Sequence, residues 1–346
     1  MLYPDHEPML WQWRMMEQPS RVIAQAAPCS TPLVQCPSAP EQLARELKHL
    51  PPSPLQWHFA VPSKKLRIGR GRVGYSVFTQ ELPEDSFLQI NSHMCPASPH
   101  FLFLQLASST LSLHELILLG DELCGTYTMV MEPNGYDINR SEPLTTAASL
   151  HAFLQSAPHM NNSRKALRAL QYVVDGSASI RESMLEMIMC LPPRLGGYGL
   201  PQPKMNWRVD FSEHARIIAK QDFARCDLCW PEFKLDVEYN GAFWHTAEED
   251  AVRDTRRKEA LQSMGWEVIT VSCDEFEFQS GLYSIICTIA KRLRHRLRTY
   301  SDETWQRRLG LYRTLAHIDS QPLFCSMEAN SLQRIWWRNT LQDMQA

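Results

Sequence analysis

The sequence predicts an α/β (α+β) fold: a mixed-sheet core with helices on both faces, preceded by a small β-plus-helical N-terminal domain and followed by C-terminal helices. Two observations predict it. Apolar residues recur with period two over residues 226–230 and 235–239, then a charged stretch of helical spacing at 248–264 leads into a third alternating run at 266–271. With 346 residues and 44% hydrophobic content, the chain is also long enough to bury a large core and to form two domains.

From the N-terminus, residues 1–54 are rich in Pro, Gln and Ser and carry one helical pattern, at 39–50. A small sheet is expected from residue 55, with strands at 57–61, 74–79 and 86–90. Ser98-Pro99-His100 opens a helix with proline at its first position, and helices are expected from 112, over 145–154 and over 163–174. Asp175-Gly176 closes this second segment, 55–175.

In the third segment, 177–298, Ser179 is followed three residues later by Glu182, a capping-box signature, and Pro192 stops that helix. Short strands are expected at 207–211 and 216–219. The hairpin then places Asp227 on one strand and Glu238 on the next, with Leu235, Val237 and Tyr239 on one face and Asp236, Glu238 and Asn240 on the other. Gly265 ends the charged helix, a strand follows, and 282–298 reads as a helix. Residues 299–346 form a C-terminal helical extension, with helices at 302–316 and 332–344.

Like charges side by side on a sheet are destabilising unless compensated. Hard oxygen ligands in proximity suit Mg²⁺. Two solvated carboxylates on a half-exposed sheet are the plain alternative. His245, beside Phe243 and Trp244, is either a structural histidine or a group titrating near neutral pH within reach of a scissile phosphate.

The order α, β, β, β, α, β and the residues Cys226-Asp227-Leu228-x-Trp230-Pro231, Val237-Glu238-Tyr239-Asn240-Gly241-x-x-x-His245, Arg253-Asp254-x-x-Arg257 and Leu261-x-x-x-Gly265-Trp266-x-Val268 resemble the PD-(D/E)XK nuclease superfamily. Within it they resemble the Vsr-like endonuclease domains. The resemblance implies a restriction-endonuclease-like core and a metal-dependent endonuclease hydrolysing DNA phosphodiester bonds. It implies Asp227 and Glu238 as metal-binding acids, Glu182 as the helix glutamate completing the shell, and Mg²⁺ or Mn²⁺ as cofactor. The superfamily pattern ends its second strand in acid-x-lysine. Here Asn240 stands at that position, and the resemblance implies His245 as the compensating residue. A catalytically weak or inactive nucleic-acid-binding or antitoxin-like regulator on the same scaffold is the alternative that Asn240 motivates.

Residues 98–107 and Leu113-His114-Glu115-Leu116 are similar to the C-terminal part of AbiEi-type antitoxins. That similarity implies a toxin–antitoxin-type protein partner. A net charge of −3 does not advertise a nucleic-acid binder, so DNA contact must come from local patches. Candidates are Lys64, Lys65 and Arg67, with Arg70 and Arg72; Arg253 and Arg257; and the basic run at 291–298. Arg334-Ile335-Trp336-Trp337-Arg338 interleaves basic and aromatic residues, which either stack bases or dock a terminal helix. A homodimer is a further association the reading admits.

Ten cysteines without a regular framework, no signal peptide and no apolar stretch long enough to span a bilayer point to a cytoplasmic protein with reduced thiols and no membrane partner. Cys226-x-x-Cys229 lacks a second pair for zinc, and strict strand alternation would put its sulfurs on opposite faces.

Overall fold

The computed structural model describes residues 1–16, 18–29, 32–69, 71–107, 111–131, 137–240, 248–277, 279–297 and 301–320. Among these the chain is mixed α/β. It divides into two compact units, one of Met1–Val173 with the residues from Ile318 on, the other Val174–His317.

The first unit takes in the opening segment that the sequence reading set apart. Helix His6–Met15 is buried along almost its whole length and buries Met9, Leu10, Trp11 and Trp13 completely. Each such side chain contributes roughly 1.5–3 kcal/mol when removed from water, which ties the segment to the core. The Trp13 indole donates to the Ala97 carbonyl at 3.0 Å. Even Arg14 is fully buried, forked onto Glu122 with Nε–Oε1 and Nη2–Oε2 both at 2.7 Å. Helix Pro99–Leu106 starts where expected, with the Ser98 hydroxyl accepting the Phe101 N–H. Helix Leu113–Cys124 has a full capping box from Ser112 and Glu115.

In place of one small sheet, the described residues of this unit form three two-stranded pairs: His58–Val61 parallel to Gly74–Val77, Ala27–Pro28 with Leu88–Gln89, and Tyr127–Met131 with Asp137–Asn139. The expected strand at 86–90 is thus paired with a segment that the sequence reading left without structure.

The second unit opens with helix α1, Ile180–Cys190. Its sheet has four strands: β1, Lys204–Asp210; β2, Phe223–Trp230; β3, Leu235–Asn240; and β4, Glu267–Ser272, in the spatial order β4-β3-β2-β1. The β1/β2 and β2/β3 pairs are antiparallel and β3/β4 is parallel, so the sheet is mixed, as expected. The crossover into β4 runs through α3, Glu248–Ser263.

Between β1 and β2 lies α2, Glu213–Ala219, where a strand was expected at 216–219. Ser212 accepts the Ala215 N–H as N-cap, and Ala215 and Ala219, one turn apart, enter the core. So short an apolar run fits either period, and the cap decides.

Ala215, Ala219, Ala260 and Leu261 from α2 and α3 pack on Val209, Ala224, Cys226 and Cys229 of the sheet. Leu235 and Val237 point to the other side, along with Tyr239, whose ring lies 5.9 Å from the Arg181 guanidinium of α1. Helix α1 packs on both β2 and β3. Among the described residues no helix is long and apolar enough to cross a membrane.

Candidate active site

The hairpin forms with the pairs Leu228↔Val237, Cys229↔Asp236 and Trp230↔Leu235, and its ladder stops one step short of Asp227 and Glu238. Beyond that step the Asp227 carboxylate accepts the Tyr239 N–H at 3.1 Å. On its other side β2 is interrupted as well. Met205↔Leu228 and Trp207↔Cys226 are paired while Asn206 and Asp227 are not, and Asn206 is left-handed at φ +46°. Asparagine tolerates that conformation better than most residues.

The break overturns strict alternation along β2. Cys226 and Cys229 lie in the same apolar cluster, because β2 changes its facing between them. The Cys226 thiol is held well above its usual range by its hydrogen bond with Cys229 and by burial. The described cysteines are all free.

Glu182 reaches the same place from the first turn of α1. Its N–H is capped by the Ser179 hydroxyl at 3.1 Å, while its Oε2 accepts the Ala178 N–H at 2.9 Å and the Asn206 amide at 2.6 Å. The left-handed asparagine opposite Asp227 thereby anchors the helix glutamate. Loss of hydration raises the Asp227 carboxyl well above its ordinary value, and the negative charges of Glu182 and Glu238 add to it. The Tyr239 N–H and Arg257 oppose the rise.

Asp236 joins these three. It is fully buried, and burial together with Cys226, Glu238 and Asp227 pushes its carboxyl up to about 11. Strand alternation puts it on the Glu238 face and suggests no role for it there. The signal was present in the acid-x-acid spacing of Asp236 and Glu238.

The compensating positive charge comes from α3. Arg257 Nη1 lies 2.7 Å from Glu238 Oε1 and Lys258 Nζ lies 3.7 Å from Oε2. Burial alone would lower the Arg257 guanidinium; Glu238 and Asp227 outweigh it and raise it. Arg257, expected on a DNA-facing surface, is therefore engaged with Glu238, and only Arg253 of that pair is fully on the surface. Asn240 is exposed at the end of β3, opposite Ser272 of β4. His245 lies outside the described residues, as do Arg70, Arg298, Trp336 and Trp337. Lys64 and Lys65 are exposed on a short 3-10 turn of the first unit, with Arg67 half-buried beside them.

The donors here are all oxygens, which suits a hard divalent cation, and the buried surplus of carboxylate charge is what such a cation relieves. The spacing is looser than a closed ligand shell. Among the described residues, the one group of three or more His, Cys, Asp or Glu donors drawn within 4.8 Å of one another is Asp5, His6 and His58 in the first unit.

No family model matches the chain, and no solved structure matches it. Over 117 residues the chain is 29% identical to the uncharacterised protein Rv2248 of Mycobacterium tuberculosis strain H37Rv, and equally to the uncharacterised protein MT2308 of strain CDC 1551. The match covers 34% of this chain and 38% of each relative, so the chain spans under two-fifths of the length of the curated proteins it resembles.

Proposed function

We propose that the second unit is a metal-dependent endodeoxyribonuclease of restriction-endonuclease-like architecture, acting in bacterial defence, mobile-element function or repair. One observation carries the reading: Asp227 and Glu238 come from adjacent antiparallel strands and repel each other electrostatically, and Glu182 repels Asp227 from α1. Glu182, Asp227 and Glu238 would hold Mg²⁺ or Mn²⁺, which when bound lowers the pKa of a water and neutralises phosphate charge.

The chain's own groups do the positioning. Asn206 fixes Glu182 through its 2.6 Å hydrogen bond, and the Tyr239 N–H fixes Asp227. Lys258 brings beside Glu238 the positive charge that Asn240 does not supply at the strand end. DNA is the partner in this reading, and a homodimer would supply two such sites for the two strands. Its setting is the cytoplasm.

Nicking of supercoiled plasmid in Mg²⁺ or Mn²⁺ tests it. Asp227→Asn and Glu238→Gln, which keep side-chain size, abolish nicking while leaving the circular dichroism unchanged.

A second reading rests on the Arg257–Glu238 ion pair together with Asn240. An acid neutralised by arginine, on a strand lacking the superfamily lysine, fits a nucleic-acid-binding or antitoxin-like regulator without cleavage. DNA binding of wild-type strength in both variants, with no nicking by the wild type in any divalent metal, selects it.

A further inference from the structure

We propose that the first unit holds a zinc site built from Asp5, His6 and His58. The donor groups of these three residues lie within 4.8 Å of one another. Asp5 is fully buried and presents one carboxylate oxygen to each ring: Oδ1 is 2.6 Å from His58 Nδ1 and Oδ2 is 3.3 Å from His6 Nδ1. The two rings lie side by side, with centroids 4.5 Å apart and planes tilted by 49°.

Local structure is bent toward this arrangement. Asp5 is the N-cap residue of helix His6–Met15, yet its side chain makes no capping hydrogen bond. An aspartate there ordinarily satisfies a helix N–H, worth about 1 kcal/mol. Its carboxylate instead meets the two imidazoles and accepts the Gln105 amide on Oδ2 at 3.0 Å. Gln105, itself buried, orients the carboxylate from behind, as outer partners do around bound metals. His6 adopts a left-handed backbone at φ +55°, a conformation that costs about 1–2 kcal/mol outside glycine. Strain of that kind concentrates at functional sites.

His58 is fixed by the fold as well. It opens strand His58–Val61 opposite Gly74, and a Cβ added at Gly74 would meet its Cδ2 at 2.3 Å, so the ring occupies the space that the missing side chain leaves. The His6 side chain has one more polar neighbour, the Ser76 hydroxyl at 3.4 Å.

Two imidazoles and one carboxylate form a nitrogen and oxygen donor set that favours zinc over magnesium or calcium. The rings remain 21% and 26% exposed, so a fourth ligand position opens toward solvent. The ion takes the place of the Nδ1 protons between rings and carboxylate, with the rings carrying their proton on Nε2. It staples the chain's first helix to the strand at residue 58.

The test uses the whole 346-residue chain, stripped with chelator and titrated with Zn²⁺ by calorimetry and with Co²⁺ by visible absorption. The expected result is one equivalent of Zn²⁺ per chain, a tetrahedral Co²⁺ spectrum, and a Zn²⁺-dependent rise in melting temperature. His58→Ala weakens binding at least tenfold. His6→Asn does the same, and because asparagine accepts the left-handed backbone its fold is retained, so loss of metal there cannot be ascribed to unfolding. Asp227→Asn and Glu238→Gln leave the Zn²⁺ equivalent in place, which separates this site from the proposed nuclease centre. No Zn²⁺ bound by the wild type, or binding unchanged in a folded His6→Asn, overturns the proposal.

Discussion

Arg257 of α3 lies across Glu238 of β3, with Nη1 2.7 Å from Oε1, and the same nitrogen donates to the Arg225 carbonyl of β2 at 3.0 Å. One guanidinium thus ties the crossover helix to both strands of the acidic hairpin. Its partner is nearly buried, the Glu238 side chain being 6% exposed. Removing one member of a buried pair leaves an uncompensated charge.

Arg257→Met is expected to destabilise the protein by about 2–3 kcal/mol, somewhat below the fully buried range because the arginine is partly exposed and Lys258 remains. Mg²⁺ or Mn²⁺ then restores part of that loss, since a cation at Glu238 replaces the missing charge. Urea unfolding with and without the ion measures both. Equal metal effects on variant and wild type would contradict the link between Arg257 and the metal-binding acid.

Asn206→Gly keeps the left-handed backbone at φ +46° and removes the amide that holds Glu182 at 2.6 Å. Its stability should change by less than about 1 kcal/mol, whereas Asn206→Ala loses about 1–2 kcal/mol for the backbone alone. The nicking rate of the glycine variant should fall about tenfold. A folded glycine variant with full activity would show that Glu182 needs no anchor.

Glu186, one turn beyond Glu182 in α1, is pushed by burial up to about 8 from 4.5, against a lowering contribution from Cys190. The folded state therefore holds its proton where the unfolded chain has released it. Its contribution is fully present below pH 4.5 and is lost as pH rises toward about 8, at up to about 1.4 kcal/mol per unit. Glu186→Gln lacks this dependence. Relative to wild type, the variant should gain stability steadily across that window and hold a constant advantage above it, as read by denaturant melts at several pH values. A difference that is flat with pH would rule out a buried protonated acid.

Arg14 and Glu122 of the first unit are both fully buried, and Glu122 Oε1 also accepts the Met129 N–H at 2.9 Å. Arg14→Met and Glu122→Gln should each cost about 3–5 kcal/mol. The double variant should cost less than their sum by about 2 kcal/mol, since it removes both members of the pair and leaves only Arg140, which the Gly125 and Tyr127 carbonyls hold. Additive losses in a double-mutant cycle would contradict a coupled pair.

Period two over 226–230 and 235–239 made the hairpin readable, and the Ser179/Glu182 spacing marked the start of α1. Both signals are local. Arg216 to Ala219 offered too few residues to separate helix from strand, and the deciding Ser212 cap lay outside the run. Helix His6–Met15 has no amphipathic stripe because it is surrounded by core, so periodicity was silent where burial is greatest.

At the site, alternation identified the face shared by Asp236 and Glu238, but Asn206 could not be read as a partner of Glu182. Its left-handed turn is set by the gap between two ladders. That gap also brings Cys226 and Cys229 to one face, which no rule of strict alternation allows. Spacing alone offers Arg257 as a phosphate contact and gives Lys258 no role at the site. Their engagement with Glu238 depends on how α3 crosses the sheet, a relationship between distant segments that spacing does not encode.

Anomalous scattering from a crystal of the 346-residue chain soaked in Mn²⁺ tests the central claim most directly. The account predicts a peak coordinated by Asp227 and Glu238, with Glu182 beside it and Arg257 displaced from Glu238. Density empty at that position, with Glu238 still paired to Arg257 at saturating Mn²⁺, would contradict it.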